Sequence, residues 1–373
     1  MDRRDFIKYG TVLAGVGGAC LLCKNGSMIF KEHNTDIKSS EMDIRPCKNP
    51  FVFLEIHNGG NIVPCCSDFL KYKAPAGNIG EQNLDEIWNG EIYTDLRQRV
   101  LNGDYSMCNR DICCTYTPCT EEEIPADYMK GPKELKVSYD MECNYHCITC
   151  RDTIITDTPE EMTLYENVYL PKIKKIIKNV EVVDLLGFGD ALFSRHSMHL
   201  ITELVKEYPQ IKFHLHTNGF LLDEKNITEL GIKNNIGGIS VSIDAVNRET
   251  YRKILRTDAF DRVMKNVELM SEWKRQGKIG WITINFVVHL MNYKEMPDFV
   301  KLAQKLDVTA SFTTYRPWKT AEYHKRYNEV AVFKSKNKHY KELAEILHDP
   351  IFKDTKHCQL EPQLLDIANS QTD

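Results

Sequence analysis

At 373 residues the chain can hold two domains, or one large α/β domain with an appendage. Its net charge of −5, with lysines spread along the sequence rather than blocked, leaves no basic footprint, and no nucleic-acid partner is expected. Thirteen cysteines are many for this length, and they cluster in short runs instead of being spaced as a disulfide framework, which points to metal.

The chain opens with MDRRDFIKYGTVLAGVGGACLLC, joining Arg3 and Arg4 to an uncharged, Gly-rich run from Tyr9 to Cys23 that is too short to span a bilayer comfortably. RRDFIK resembles the twin-arginine export motif, whose pathway carries proteins already folded around their cofactors. Residues 1–23 are therefore expected to act as a signal or membrane-docking segment, with the membrane or the export machinery as partner. GGAC, ending at Cys20, makes a poor lipidation box because Gly17 stands where an aliphatic residue belongs. Residues 24–45 are polar and predict a linker. The block 46–128 is turn-rich and carries Cys47, Cys65, Cys66, Cys108, Cys113, Cys114 and Cys119. With little helical pattern outside NLDEIWNGEIYTDLRQRVLNG and no long apolar core, it is expected to draw part of its folding energy from metal.

From residue 134, short β-rich runs alternate with helical stretches. ELKVSYDM, EVVDLLG, KFHLHTNG, GISVSIDA, WITINFVVH and ASFTTYRP predict strands, being apolar and β-branched with turn or helix-start residues after most of them. The helical stretches are PEEMTLYENVYLPKIKKIIKN, whose Pro171 should kink or split it, then SMHLITELVKEY, NRETYRKILRTDAFDRVMKNVELMSEWKRQ and YKEMPDFVKLAQKL. Six strand–helix alternations imply a parallel sheet, wound by right-handed crossovers into a barrel or an open doubly wound sheet. The core is expected over 129–318, and the charged tail 319–373 as a helical, solvated cap.

CNYHCITC places Cys143, Cys147 and Cys150 just after the first of these strands. A structural zinc site wants four closed ligands, whereas an iron–sulfur cube held by three thiolates would keep one iron open for a substrate or cofactor. His146, inside the loop, keeps a Cys₃His zinc site as an alternative. GFGD follows the second strand and TNG ends the third, so the motifs gather at the strand ends where a barrel carries its chemistry. His214 and His216 alternate along one strand face, a spacing that usually means neighbours on a pleat.

The CxxxCxxC of Cys143, Cys147 and Cys150 resembles the hallmark of the radical S-adenosylmethionine enzymes. The resemblance continues through GFGDALFS, HTNGFLL, VSIDAVNRETYRKILR and NFVVHLMNYKEM, in the family's order, over about residues 134 to 317. It implies an α/β fold with a partial (β/α)6 TIM-type barrel, a 4Fe-4S cluster on the three cysteines, and S-adenosylmethionine on the open iron through its amino and carboxylate groups. It also implies reductive cleavage to a 5′-deoxyadenosyl radical that takes a hydrogen atom from substrate, with a flavodoxin or ferredoxin as low-potential electron donor. By position, Gly189 and Asp190 fall in the glycine–glycine–acid motif, Asp190 on the methionine ammonium, while Ser242 and Arg256 are candidates for the methionine carboxylate. Asn218 and Asp244 are further cofactor-binding candidates, with a tight Asn-Gly turn and a helix cap as their structural alternatives. The chain departs from the pattern at Phe188 for a glycine, Asp190 for a glutamate, Ala191 for a proline and Thr149 for an aromatic residue.

CKNPFVFLEIHNGGNIVPCC and GNIGEQNLDEIWNGEIY resemble the SPASM-type auxiliary-cluster domain, here in front of the barrel rather than behind it. This implies at least one further iron–sulfur cluster among the seven cysteines of the block, a zinc knuckle being the alternative; the spacing of Cys108, Cys113, Cys114 and Cys119 departs from the usual pattern and assigns no ligand individually. The expected function is radical modification of a peptide or protein by oxidation, crosslinking or epimerisation. The alternatives are a dehydrogenase of a carbohydrate or other small molecule, and a non-catalytic iron–sulfur electron-transfer or scaffold protein. Cys358, alone in the tail, is either a small buried residue or a hydrogen-atom donor to a substrate radical. Chemistry is expected on the cytoplasmic side, where S-adenosylmethionine and low-potential electrons are supplied, with the amino terminus as a docking segment or a step toward export.

Overall fold

The computed structural model describes residues 45–65, 70, 74–108, 113, 116–185, 188–318 and 320–370. The segment 1–23, the linker as far as residue 44, Gly187, Cys66 and Cys114 lie outside the described residues. Among the described residues there are ten strands: β1 (Phe53–Ile56), β2 (Asn61–Val63), β3 (Gly77–Asn78), β4 (Glu134–Val137), β5 (Val182–Leu185), β6 (Lys212–Thr217), β7 (Ile236–Ser242), β8 (Trp281–Val288), β9 (Thr309–Thr314) and β10 (Cys358–Leu360). They form one sheet in the order β10-β9-β8-β7-β6-β5-β4-β1-β2-β3.

Strands β4 to β9 are the six runs predicted from the sequence, each parallel to its neighbour, and they make the partial (β/α)6 barrel. Parallel strands are covered by helices on one face and by the barrel interior on the other, which is why these runs are nearly continuous in Val, Ile, Leu and Phe. Helices Arg195–Glu207, Phe260–Arg275 and Met296–Leu306 return the chain between strands. The helical stretch after β4 does split at Pro171, into Pro159–Leu164, a π-helical turn Tyr165–Tyr169 and Leu170–Ile176. Proline has no N–H to give and crowds the carbonyl four residues back, so the ladder widens just before it. Glu166 in that turn is 2.8 Å from His196 Nδ1 and 2.6 Å from His199 Nδ1, and His196 Nε2 meets the Tyr139 hydroxyl at 2.6 Å. That chain pins the split helix to its neighbour.

The cysteine-rich block enters the same sheet. β1 runs parallel to β4 with Glu55 opposite Lys136, while β2 and β3 continue antiparallel beyond it. Leu54 and Ile56 join the main core, whereas Phe53 packs with Phe51, Val52, Leu96 and Val100 in a small core of the block's own. At the other edge, the tail is more than the helical, solvated cap expected of it: β10 pairs parallel with β9, and Val330 to Phe333 are buried in the main core. Short apolar pieces between charged ones hid this, because neither Cys358–Leu360 nor the 330–333 run is long enough to carry a period. Cys358 is buried on β10, away from the cavity described next.

Candidate functional site

The carboxyl ends of the barrel strands open on a cavity of about 210 Å³, bordered by Cys143, Cys147 and Cys150. The loop that carries them is held from several sides. Cys143 N donates to Ile155 O at 3.2 Å, Ile148 N to Ile254 O at 2.9 Å, and the Thr320 hydroxyl of the tail to Cys150 O at 2.6 Å.

Two of the three sulfurs, those of Cys143 and Cys150, have N–H donors beside them. Arg151, buried immediately after the motif, points Nε at Cys150 Sγ (3.3 Å) while its other nitrogens donate to Met141 O (2.8 Å) and Phe188 O. Tyr145 N lies 3.4 Å and Asn218 Nδ2 3.9 Å from Cys143 Sγ. Burial, with Asp190 adding to it and Arg151 opposing it, pushes the Cys143 thiol up to about 11; burial and the neighbouring cysteines push Cys147 well above its ordinary value, so metal must displace their protons. A buried guanidinium and N–H donors beside Cys143 and Cys150 suit an anionic cluster on the three thiolates. The His146 ring is not on the cavity wall, which removes the support for a Cys₃His zinc site; among the described residues no three His, Cys, Asp or Glu side chains converge on a single-ion position.

Gly189, Asp190, Asn218, Ser242 and Asp244 all reach the cavity wall. Gly189 is obligatory, because a Cβ there would press into the Glu142 backbone. Asp190 accepts from Asn218 N (2.7 Å), Thr217 Oγ1 (2.9 Å) and Leu192 N (3.0 Å), so it clamps the loop after β5 to the end of β6 as well as facing the cavity. Asn218 makes the turn expected as its structural alternative, with Oδ1 accepting from Phe220 N (3.0 Å), and its Nδ2 donates to Asn144 Oδ1 (2.8 Å) in the cysteine loop. Gly219 completes that turn with φ +79°. Asp244 does not cap a helix. It sits at φ 60° and accepts from Val287 N (2.7 Å), and burial pushes its carboxyl up to about 7; Asn247 caps the following helix instead. Arg256 is not brought to the wall. It ends the helix Arg248–Leu255 in a left-handed conformation and braces the cysteine loop from outside, 3.4 Å from His146 O and from Asp152 Oδ1.

The sequence reading missed the far side of the cavity. Glu55 and His57 come from β1 and the residue after it, Lys136 and Ser138 from β4 and the residue after it, and His216 from β6. Lys136 Nζ pairs with Glu55 Oε1 at 3.0 Å, both side chains nearly buried. Phe188, the departure from the glycine motif, stands edge-on between His57 and Trp318, with ring centroids 5.4 Å apart on each side. The available signal was a charged residue in the middle of an apolar strand, as in FLEI and ELKV. Such a residue faces either solvent or a polar cavity, and only tertiary structure chooses.

A second, smaller pocket in the block is walled by Cys47, Cys65, Cys108 and Cys113 with apolar Leu96 and Val100. Cys119 is not on its wall but adjoins it, its thiol donating to Pro46 O at 3.5 Å beside Cys47, which pairs with Pro118.

Residues 141–303 match the family described as the radical SAM superfamily, and residues 47–120 match the SPASM iron-sulfur cluster-binding domain. Curated relatives include a probable GTP 3′,8-cyclase of Saccharolobus islandicus, 30% identical over 190 residues (47% of this chain, 54% of the relative). The GTP 3′,8-cyclase of Synechocystis sp. is 30% identical over 192 residues (50% and 54%). The chain thus spans about half the length of these relatives. Among solved structures, native anSMEcpe with bound AdoMet and Cp18Cys peptide aligns with TM-score 0.40 and 17% identity over 61% of this chain and 62% of that one. Methylornithine synthase aligns with TM-score 0.39 and 12% identity over 64% and 73%.

Proposed function

We propose, for a chain whose residues 141–303 are a radical SAM domain and whose residues 47–120 are a SPASM iron–sulfur domain, that it is an enzyme modifying a peptide or protein by hydrogen-atom abstraction. The observation that carries this reading is the single cavity on which the three thiols, the strand-end polar residues and β1 of the SPASM domain converge. Cys143, Cys147 and Cys150 would hold a 4Fe-4S cluster, which with S-adenosylmethionine and an electron from a flavodoxin or ferredoxin would supply the hydrogen-abstracting radical chemistry. The chain's own residues do the rest. Arg151 offsets the negative charge of the thiolates; Asp190 and Asn218 fix the strand ends against the cysteine loop; Ser242 and Asp244 present polar groups to the cofactor; Phe188 and Trp318 close the mouth and keep water from the reacting carbon.

A nucleotide substrate is the second reading, favoured by the names of the curated relatives. Against it, Lys136 is paired with Glu55 and Arg151 is bound to two carbonyls and a sulfur, which leaves Arg316, 3.5 Å from Glu361, to meet a triphosphate from the described cavity wall. Anaerobically reconstituted protein given S-adenosylmethionine and a strong reductant is expected to release 5′-deoxyadenosine, faster with peptides encoded beside its gene and not with GTP. Failure to release it from protein of verified cluster content would overturn the enzyme assignment; acceleration by GTP would replace the peptide reading.

In the SPASM domain, Cys47, Cys65, Cys108 and Cys113 are the proposed ligands of one auxiliary cluster, with Cys119 available to another. Cys113→Ala is expected to lower bound iron and sulfide while Cys119→Ala leaves the visible spectrum of that first cluster in place. Equal losses in both would refute the division.

No helix among the described residues is long and apolar enough to cross a membrane. The proposed location of the chemistry is the cytoplasmic side, with the amino terminus as a docking segment. Fractionating cells carrying Arg3→Lys with Arg4→Lys tests it: an arginine-dependent mature periplasmic product would reverse the assignment.

A further inference from the structure

The far side of the cavity holds an arrangement that neither cluster nor cofactor accounts for. Its members lie on adjacent parallel strands, with Glu55, Lys136, Asp184 and His214 in one register row and His216 one pleat further on. The His216 ring borders the cavity, while its Nε2 lies 3.8 Å from Asp184 Oδ1, which is not on the wall. Both atoms are buried without a hydrogen-bond partner. A carboxylate thus stands behind an imidazole whose other nitrogen, Nδ1, is left for the cavity. A small approach of Asp184 would close the pair into the carboxylate–imidazole geometry that fixes a tautomer and stabilises the imidazolium once formed.

We propose that His216, positioned by Asp184, is the proton acceptor for a substrate whose reacting carbon bears a hydroxyl or amine. This rests on the radical-enzyme reading and narrows its substrate to an alcohol or amine carbon. Once the hydrogen atom has left that carbon, the neighbouring O–H or N–H is strongly acidified. Its bond breaks, the electron pair stays on oxygen or nitrogen, and the proton bonds to His216 Nδ1; the unpaired electron then passes to a one-electron acceptor, the auxiliary iron–sulfur cluster proposed above, leaving a carbonyl or imine as product.

The protonation states suit this. Burial, with Lys136 and His214 nearby, holds the His216 imidazole neutral, and burial pushes the Asp184 carboxyl up to about 7 against the pull of Lys136, with Glu55 and Glu134 adding to the rise. Above that value Asp184 is ionised and His216 is the stronger base; below it the base is weakened. Product formation should therefore rise with pH through about 7. Asp184→Asn should abolish that limb while Asp244, also near 7, remains in place.

Two measurements test the pair. In reconstituted, ¹⁵N-histidine-labelled holoenzyme, the His216 resonances, identified by their loss in His216→Gln, should shift in Asp184→Asn between about pH 6 and 9. Identical His216 signals in the two proteins would overturn the pairing, and this arm needs no substrate. With a peptide accepted in the assay above, deuterated at its reacting carbon, both variants should still transfer deuterium to 5′-deoxyadenosine near the wild-type rate while product falls about a hundredfold. Parallel loss of transfer and product would mean a structural role and overturn the proposal. Absence of 5′-deoxyadenosine from wild-type protein would instead sink the functional reading, leaving the resonance experiment to decide the dyad.

Discussion

Replacing Cys143, Cys147 and Cys150 together by alanine is expected to bring 5′-deoxyadenosine release to background while iron, sulfide and a reducible visible absorption persist in the SPASM domain. The separation follows from where the two sets of sulfurs lie. The triad borders the barrel cavity, whereas Cys47, Cys65, Cys108 and Cys113 wall their own pocket among Leu96 and Val100. Loss of the triad's thiols leaves Arg151 with carbonyl partners at Met141 and Phe188, so the barrel should remain folded. Anaerobic iron and sulfide analysis beside the activity assay checks both halves. A triple variant that kept zinc but lost all iron would remove the auxiliary cluster and leave the radical assignment standing, because thiolates hold either metal equally readily.

The largest expected loss of stability comes from a residue with no part in the cluster. Lys136→Met leaves the Glu55 carboxyl nearly buried without its partner at 3.0 Å, at a cost of about 3–5 kcal/mol. Adding Glu55→Leu should return most of it, since a well-packed apolar pair often matches a buried ion pair once the desolvation of both charges is spared. Melting temperatures of the wild type, each single variant and the double variant, at equal iron content, measure the coupling. A double variant no more stable than Lys136→Met would mean that Lys136 acts through Asp184, the other carboxyl whose ionisation it favours, rather than through Glu55.

The six-strand alternation was legible because each parallel strand is apolar throughout and ends at a turn or helix start. The cysteine triad was legible because metal chemistry demands a local spacing. Asn218 and Gly219 could be read as a turn for the same reason, being neighbours in the chain. Residues whose meaning is non-local were not readable in this way. Glu55 and Lys136 are 81 residues apart in sequence and meet only because β1 adds to the edge of the barrel beside β4.

By itself, then, the sequence determined the strand succession, the split helix at Pro171, and the thiol sets, all of which rest on steric or coordination rules within a few residues. Tertiary structure decided which side of a strand is inside. It also decided how far along one face a residue lies: His216, nearer the carboxyl end of β6, borders the cavity, while His214, two residues earlier on the same face, makes an edge contact with Trp281 at 5.1 Å. It moved Arg256 outside, where a left-handed helix end turns its guanidinium to Asp152, and it brought Thr320 from the tail to hold Cys150. Such choices depend on burial and on partners contributed by distant segments, and a pleat's period of two leaves both faces open until the sheet closes.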